Sequence, residues 1–468
     1  MMKTRFWSLL GCIAALSLTV GCGDDDSSDS DMDDDADDDD AMMDDDDDAM
    51  MDDDSDDDDG ETLIEIFSWW TAEGEAEALD ALISAHTDDH PDVEFVNIAV
   101  QNVGQDPAQA LNERMGLDEN GEADDSIEYN PPGLMQWDLY NVSTWTDQGI
   151  EFLSLDEVYE DEGWKGKLYD FLESDIEIGG EILSLPVGLH RENGMFFNRE
   201  ILSDNDIEED SLTDWDGLMA ACEILKEAEV TCISLTQEDW VNMILFRTVA
   251  AMTMGPANFE TYFGLEGEAD DEDIAEVVAN YQLLLESGYV GGWDNENEEP
   301  TKAWGWENVR TEGWDEAAKD VHRGEAAFYA HGDWAVGVYK SLGWSSEDFG
   351  VIAAPGTEDL FVYGADGFLA PQGGDNTEAV MDVVRTWGSP ETLAAFNKAK
   401  GSTPPRPDVD LDDDAVAAAV ADDLKNATHV MRVPGWSDGF LGELLEFAAG
   451  DIPAEDLVAK IQEVHGEQ

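Results

Sequence analysis

The chain has 468 residues, 42% of them hydrophobic, enough for two lobes with cores of their own. Its 113 acidic residues against 21 basic ones give a formal net charge of −92, which argues against nucleic acid as a partner, because phosphates are bound through Lys and Arg. About 24 of the acids precede Gly60, so the remainder is itself strongly acidic.

Residues 1–21 carry Lys3 and Arg5 ahead of an apolar run from Phe6 to Val20 and read as a secretory leader, too short for a good membrane span. Residues 22–60 are almost entirely Asp, Ser, Ala and Met after Cys22; they cannot bury a core, and the segment is expected to be a disordered acidic tether. It fails the EF-hand calcium pattern, because Ser55 and Ile66 stand where carboxylates are required.

From Glu61 strands and helices alternate, the pattern of an α/β fold with largely parallel sheet. Leu63 to Phe67 reads as a strand, Glu75 to His86 as a helix and Val93 to Val100 as a second strand. Trp69 and Trp70 fall at the first strand's end. In open α/β sheets ligands sit beyond the carboxyl ends of strands, beside helix N-termini. Two flat aromatic faces next to the Glu75 carboxylate suit a sugar, whose C–H face stacks while its hydroxyls seek charged acceptors. His86 and His90 have a metal-compatible spacing, but Asp88-Asp89-His90-Pro91 reads as a solvated helix end. Asp124 to Pro131 reads as a short strand entering a loop, and Ile176 to Leu185, broken by Gly179-Gly180, as a hairpin.

Thr213-Asp214-Trp215-Asp216 has the form of a capping box for a helix through Leu218, Cys222 and Leu225. Cys232 follows in the next strand, so the pair is either a disulfide or two buried thiols. Asp239-Trp240 precedes an apolar helix, and Trp293, Trp304, Trp306 and Trp314 crowd a polar stretch, unusual for a plain connector. No Gly-rich phosphate loop, Gly-x-Ser-x-Gly elbow or Cys-x-x-Cys pair is present, and no carboxylate pair is singled out by an apolar setting. Neither an enzyme nor a cofactor is expected.

Seven stretches carry a resemblance in order along the chain: Trp69-Trp70-Thr71-Ala72-Glu73-Gly74-Glu75, Leu185-Pro186-Val187-Gly188-Leu189-His190-Arg191, Met195-Phe196-Phe197-Asn198, Gly324-Glu325-Ala326-Ala327-Phe328, Gly332-Asp333-Trp334, Pro355-Gly356-Thr357 and Phe396-Asn397-Lys398-Ala399-Lys400-Gly401-Ser402. The chain resembles the solute-binding proteins of ABC sugar importers, in the branch near glucose- and monosaccharide-binding members. Leu18-Thr19-Val20-Gly21-Cys22 likewise resembles a bacterial lipobox, with Cys22 as the lipid-modified residue. The resemblance implies a two-lobed periplasmic-binding-protein fold of type II: 61–186 and 334–370 in the first lobe, 187–333 and 371–468 in the second. Crossings are expected near 186–190, 332–335 and 370. It also implies a neutral sugar such as glucose, delivered to membrane permease subunits by a membrane-anchored, periplasm-facing receptor. A short oligosaccharide and a cationic solute are the rivals within this fold, and a surface enzyme or adhesion receptor is the rival outside it. By the family pattern Trp69, Trp70 and Glu75 stack on and bind the sugar, and Asp333 supplies the acid of the Gly-Asp-Trp turn. Glu128, Asn130, His190 and Asp366 are further polar candidates, Arg406 a loop candidate, and Trp240, Trp304 and Trp306 further stackers.

An acidic, lysine-poor surface stays hydrated at high salt, where screening removes self-repulsion. The composition fits a saline habitat or simply an acidic lineage. The saline reading predicts a melting temperature that rises from low to molar salt; a flat response excludes it.

Overall fold

A computed structural model describes residues 62–467 apart from 99–106, 119–120, 125, 140–141, 265–270 and 412–413. The leader, the tether and Cys22 lie outside the described residues. Ten strands build two sheets: β1 (Thr62–Phe67), β2 (Val93–Asn97), β3 (Leu134–Asp138), β4 (Ser184–Arg191), β5 (Gly194–Asn198), β6 (Thr231–Ser234), β7 (Ala326–His331), β8 (Phe349–Ala353), β9 (Leu360–Leu369) and β10 (His429–Met431). The first sheet runs β10–β9–β3–β1–β2, with β4 also paired to β9, and the second runs β8–β5–β7–β6. Each sheet carries its own apolar core, so the chain is two-lobed and α/β as expected.

The largely parallel expectation is corrected. β1/β2, β1/β3, β9/β10 and β6/β7 are parallel, whereas β3/β9, β4/β9, β5/β7 and β5/β8 are antiparallel. The antiparallel ladders come from strands that pass between the lobes, which enter a sheet directly rather than through a helical crossover. The hairpin around Gly179-Gly180 forms as read, with both glycines at positive φ (66° and 92°). The strand read at Asp124 to Pro131 does not form; the chain pairs only from Leu134 on, past Pro131 and Pro132, whose missing N–H groups would interrupt the ladder.

The crossings also move. β4 ends in the first sheet at Arg191 and β5 opens the second at Gly194, so the first crossing is Glu192-Asn193. The return lies between β8 and β9, at 354–359, not at 332–335: helix Ala335–Ser341 packs with Phe196, Tyr329 and Phe349 of the second lobe. Helices Thr377–Trp387, Pro390–Lys400 and Ala415–Asn426 then bury Val384, Trp387, Phe396 and Leu424 in the first lobe, so no crossing occurs near 370. The last passage follows β10, where Val433, Trp436 and Phe440 join the second core. Asn193 ties the first two crossings together. Its Nδ2 donates to Thr357 Oγ1 and to the Leu360 carbonyl, both at 3.1 Å, and its Oδ1 accepts from Val362 N at 3.0 Å.

Helix Glu75–Thr87 covers β1 through Ala78, Leu79 and Leu82. Its cap Gly74 has φ 82°, and a Cβ there would meet the Gly337 backbone at 2.4 Å. This glycine pair lets the Ala335–Ser341 helix of the second lobe touch the start of the first helix.

Cys222, on the buried face of helix Trp215–Glu227, is joined to Cys232 of β6 by a disulfide across a 10-residue separation. Closing a loop of that size removes unfolded-chain entropy worth about 2–3 kcal/mol. The double substitution of Cys222 and Cys232 to alanine is expected to lower urea-unfolding stability by about that amount, and an unchanged midpoint would contradict it.

Candidate functional site

β1 and β3 lie side by side, so the residues after Phe67 meet those of the Gln136-Trp137-Asp138 strand end. With the Gln136 amide oriented by its hydrogen bonds, its oxygen accepts from Trp70 Nε1 at 2.8 Å and Trp69 Nε1 at 3.0 Å, and its nitrogen donates to Ser68 Oγ at 2.6 Å. One buried amide thus fixes both indoles. Trp70 is 1% exposed and packs on Phe368 and Phe396, with its ring centroid 5.7 and 5.1 Å from theirs. The expectation that Trp70 stacks on a ligand is therefore corrected: its ring is core of the first lobe, because the chain leaves the strand after Phe67 and the strict alternation of faces ends with it. Trp69 stays half-buried against Phe67 and Trp137.

Charged groups from both lobes meet beside these rings. Glu75 is buried and ion-paired with Lys400, whose ammonium lies 5.3 Å from the Trp70 ring centroid. Burial pushes the Glu75 carboxyl up, and Lys400 opposes that. His190, from β4, is clamped between two carboxylates: Nδ1 lies 2.7 Å from Asp333 Oδ1, and Nε2 3.1 Å from Asp366 Oδ2. Asp333 Oδ2 also accepts from Arg191 N at 2.9 Å. Burial works against a charge on His190, but Asp333 and then Asp366 outweigh it and raise the ring to about 9. Asp138 is the register partner of Asp366 across β3 and β9. Burial, and then the charge of Asp366, holds the Asp138 carboxyl well above the usual range. Burial alone would also raise Asp366, yet the His190 hydrogen bond and charge, with Lys400 and Asp138, keep it below the ordinary value. His190 is thus held as an imidazolium against the Asp366 carboxylate, while Asp138 keeps a proton more readily than an ordinary carboxylic acid.

The second lobe brings an aromatic wall to the same place. Trp334 meets the His190 ring edge-on at 5.2 Å, and Trp240 lies 6.4 Å from Trp334 and 6.4 Å from Trp314. These three indoles are half-buried. Glu238, beside Trp240, is pushed up to about 7 by burial, against the pull of the Thr236 hydroxyl. Lys319 of the second lobe reaches Glu73 of the first at 3.0 Å, an ion pair between the walls. Two cavities of about 190 and about 200 Å³, open mouths included, lie beside Asn193 and Arg247 and beside Tyr159 and Arg406, and neither is lined by the residues of this cluster. Both are below the usual size of a small-molecule site.

The structure gathers Trp69, Glu75, His190, Trp240, Asp333 and Asp366 of the expected set. It leaves the others elsewhere. Glu128 and Asn130 are exposed, and the Asn130 carbonyl accepts from Arg114. Trp304 lies in a hairpin of Gly291–Asp294 and Glu299–Trp304, beside Gly291, and Trp306 packs on the second core. Arg406 pairs with Asp408 and donates to the Gly388 carbonyl, in a cavity with Tyr159 and Trp164 on the first lobe. These five are corrected as members of the cluster. Of these side chains, Arg406 is held by Asp408 and Trp306 by the second core. Sequence reasoning missed Lys400, Trp137, Asp138, Trp314 and Trp334 as site residues. Leu134-Met135-Gln136-Trp137-Asp138 was the readable signal, an apolar strand ending in Trp-Asp parallel to the strand before Trp69. His86 is not a solvated helix end: it is buried, bonded to Thr386 at 3.0 Å and stacked on His90. Among the described residues no cluster could hold a metal ion.

Residues 82–427 match the family described as bacterial extracellular solute-binding protein. The chain belongs to that family. It is 28% identical to an uncharacterized ABC transporter extracellular-binding protein of Pyrococcus horikoshii, over 75% of this chain and 73% of the relative. It is 27% identical to a probable sugar-binding periplasmic protein of Brucella melitensis (78% and 80%), and 23% identical to the xylose/arabinose-binding protein XacG of Haloferax volcanii (75% and 71%). Among solved structures, the solute receptor AcbH, described with an exclusive preference for β-D-galactopyranose, aligns at TM-score 0.66 and 16% identity, over 87% of this chain and 98% of that one. A maltose-bound protein of T. maritima aligns at 0.63 and 15%, over 87% and 100%. These structures share the two-lobed fold. The family consists of receptors rather than enzymes, in keeping with the expectation of no covalent chemistry.

His190 ties the site to stability. Its folded value near 9 exceeds the ordinary 6.5, so its contribution is fully present below about pH 6.5 and lost as pH rises through 9. Against His190→Asn, the stability difference in urea is expected to be larger at pH 6 than at pH 10 by on the order of 3 kcal/mol. A difference independent of pH would contradict this assignment.

Proposed function

We propose that this protein is the sugar-capturing receptor of an ABC importer, taking a neutral monosaccharide such as glucose between its lobes. The observation that carries this reading is the half-buried Trp334, edge-on to His190 and beside Trp240, on the Asp138–Asp366–His190–Asp333 array that joins the lobes, with the half-buried Trp69 and Trp137 at the neighbouring strand ends of the first lobe. Indole faces suit the C–H faces of a pyranose, and hydrogen bonds to charged groups, at roughly 1.5–3 kcal/mol each, suit its hydroxyls. The array is rich in carboxylates, which disfavours sugar acids and sugar phosphates. The names of the relatives from Brucella and Haloferax support a sugar rather than another solute.

Binding works by lobe closure. Sugar enters when the Glu73–Lys319 pair opens and is released to permease subunits, with Cys22 holding the receptor at the membrane through a lipid. A short oligosaccharide is the second reading, favoured by the hairpin Gly291–Asp294 and Glu299–Trp304, which adds aromatic surface to the second lobe.

A ligand that binds only the folded chain raises its melting temperature. A thermal-shift screen of residues 61–468 in high salt against mono- and disaccharides is expected to give a clear shift with one hexose or pentose. Trp69→Ala and Trp240→Ala should abolish it. A shift with amino acids or polyamines instead would overturn the ligand class and keep the fold.

A further inference from the structure

β7 ends in His331, whose backbone pairs with Gly194 at the start of β5. Its imidazole is fully buried, and neither ring nitrogen has a hydrogen-bond partner among the described residues. A neutral imidazole always carries one donor and one acceptor. Leaving both unmet in the interior is costly, and such groups call for an explanation. The surroundings are aromatic. Tyr329 and Trp314 lie nearly parallel to the ring, with centroids at 4.6 and 5.6 Å; Trp240 is tilted at 5.1 Å and Trp334 edge-on at 5.0 Å. Of those neighbours the half-buried Trp334 meets His190 of the other lobe, and the half-buried Trp240 lies beside Trp334. Burial, and then the charge of Lys400, pushes the ring well below 6.5. The Lys400 influence places His331 within electrostatic reach of the Glu75–Lys400 pair on the opposite lobe.

We propose that His331 is a specificity-determining residue of the sugar site, taking a ligand hydroxyl as hydrogen-bond partner once Trp240 and Trp334 separate. The proposal rests on the sugar reading above. A hydroxyl both gives and accepts a hydrogen bond, as a neutral imidazole does, so it can meet either orphaned nitrogen. A carboxylate ligand would satisfy only the N–H, and an ammonium only the lone pair. The arrangement also explains why histidine stands among four aromatic rings where phenylalanine would pack without an unmet polar atom.

The test compares wild type with His331→Phe and His331→Gln, by calorimetric titration with D-glucose, D-galactose, D-xylose and maltose. His331→Phe keeps an aromatic ring and removes both polar atoms. It should melt at or above the wild-type temperature without ligand, yet bind the preferred sugar about tenfold or more weakly. His331→Gln, which retains a donor and an acceptor, should recover part of the loss. A folded His331→Phe with unchanged affinity overturns the proposal and leaves the sugar reading standing. If His331→Phe does not fold, the wild-type imidazole decides: a change in the His331 ring nitrogen resonances on adding the bound sugar supports the contact, and no change overturns it. If wild type binds none of the four sugars, the sugar reading falls, and this assignment falls with it.

Discussion

The clamp on His190 is the constraint on which the interior of this protein depends. The histidine sits on β4, two residues before the chain leaves the first sheet, and its ring joins Asp366 of the first lobe to Asp333 at the turn after β7 of the second. Asp333 in turn holds the Arg191 amide. A shift of one lobe against the other therefore acts directly on a buried, charged hydrogen-bond chain. Such a chain costs desolvation and returns stability only when its geometry is fully met. Here both imidazole nitrogens and both Asp333 oxygens are used. The same logic covers Glu75 and Lys400, which lie beside Gly74 and Gly337 where helices from the two lobes touch.

Around this polar centre the two cores do ordinary work. Trp70, Phe368, Phe396 and Trp387 fill the first lobe, and Phe246, Tyr281, Phe440 and Trp436 the second. What distinguishes the space between them is that its aromatic rings are only partly covered: Trp69 and Trp137 from one lobe, Trp240, Trp314 and Trp334 from the other. Asn193, in the first interlobe segment, bonds to Thr357 of the second and to Leu360 and Val362 of β9, which couples the two segments.

Much of this is legible in the chain itself. The alternation of strands and helices, the strand end at Trp69, the acidic turn at Asp333 and the pair Cys222 and Cys232 all stand out in the chain. Local patterns failed where the partner came from far away. Trp70 reads like its neighbour Trp69 but turns inward, because Gln136, 66 residues on, holds both indoles and Phe396 closes over one. Lys400 reads as one of several lysines at a helix end, and only the first helix, 325 residues earlier, reveals its partner. Arg406 looked free to reach a cleft and is instead held by Asp408, two residues away.

The sequence by itself determined the two-lobed α/β class, the family and most of the residues at the interlobe centre, because periodicity and short ordered motifs are local properties written along the chain. Tertiary structure alone decided where the chain crosses between lobes, which tryptophans are wall and which are core, and how the carboxylates share protons. Those depend on burial and on charges brought together across hundreds of residues, and neither quantity exists until the sheets have packed.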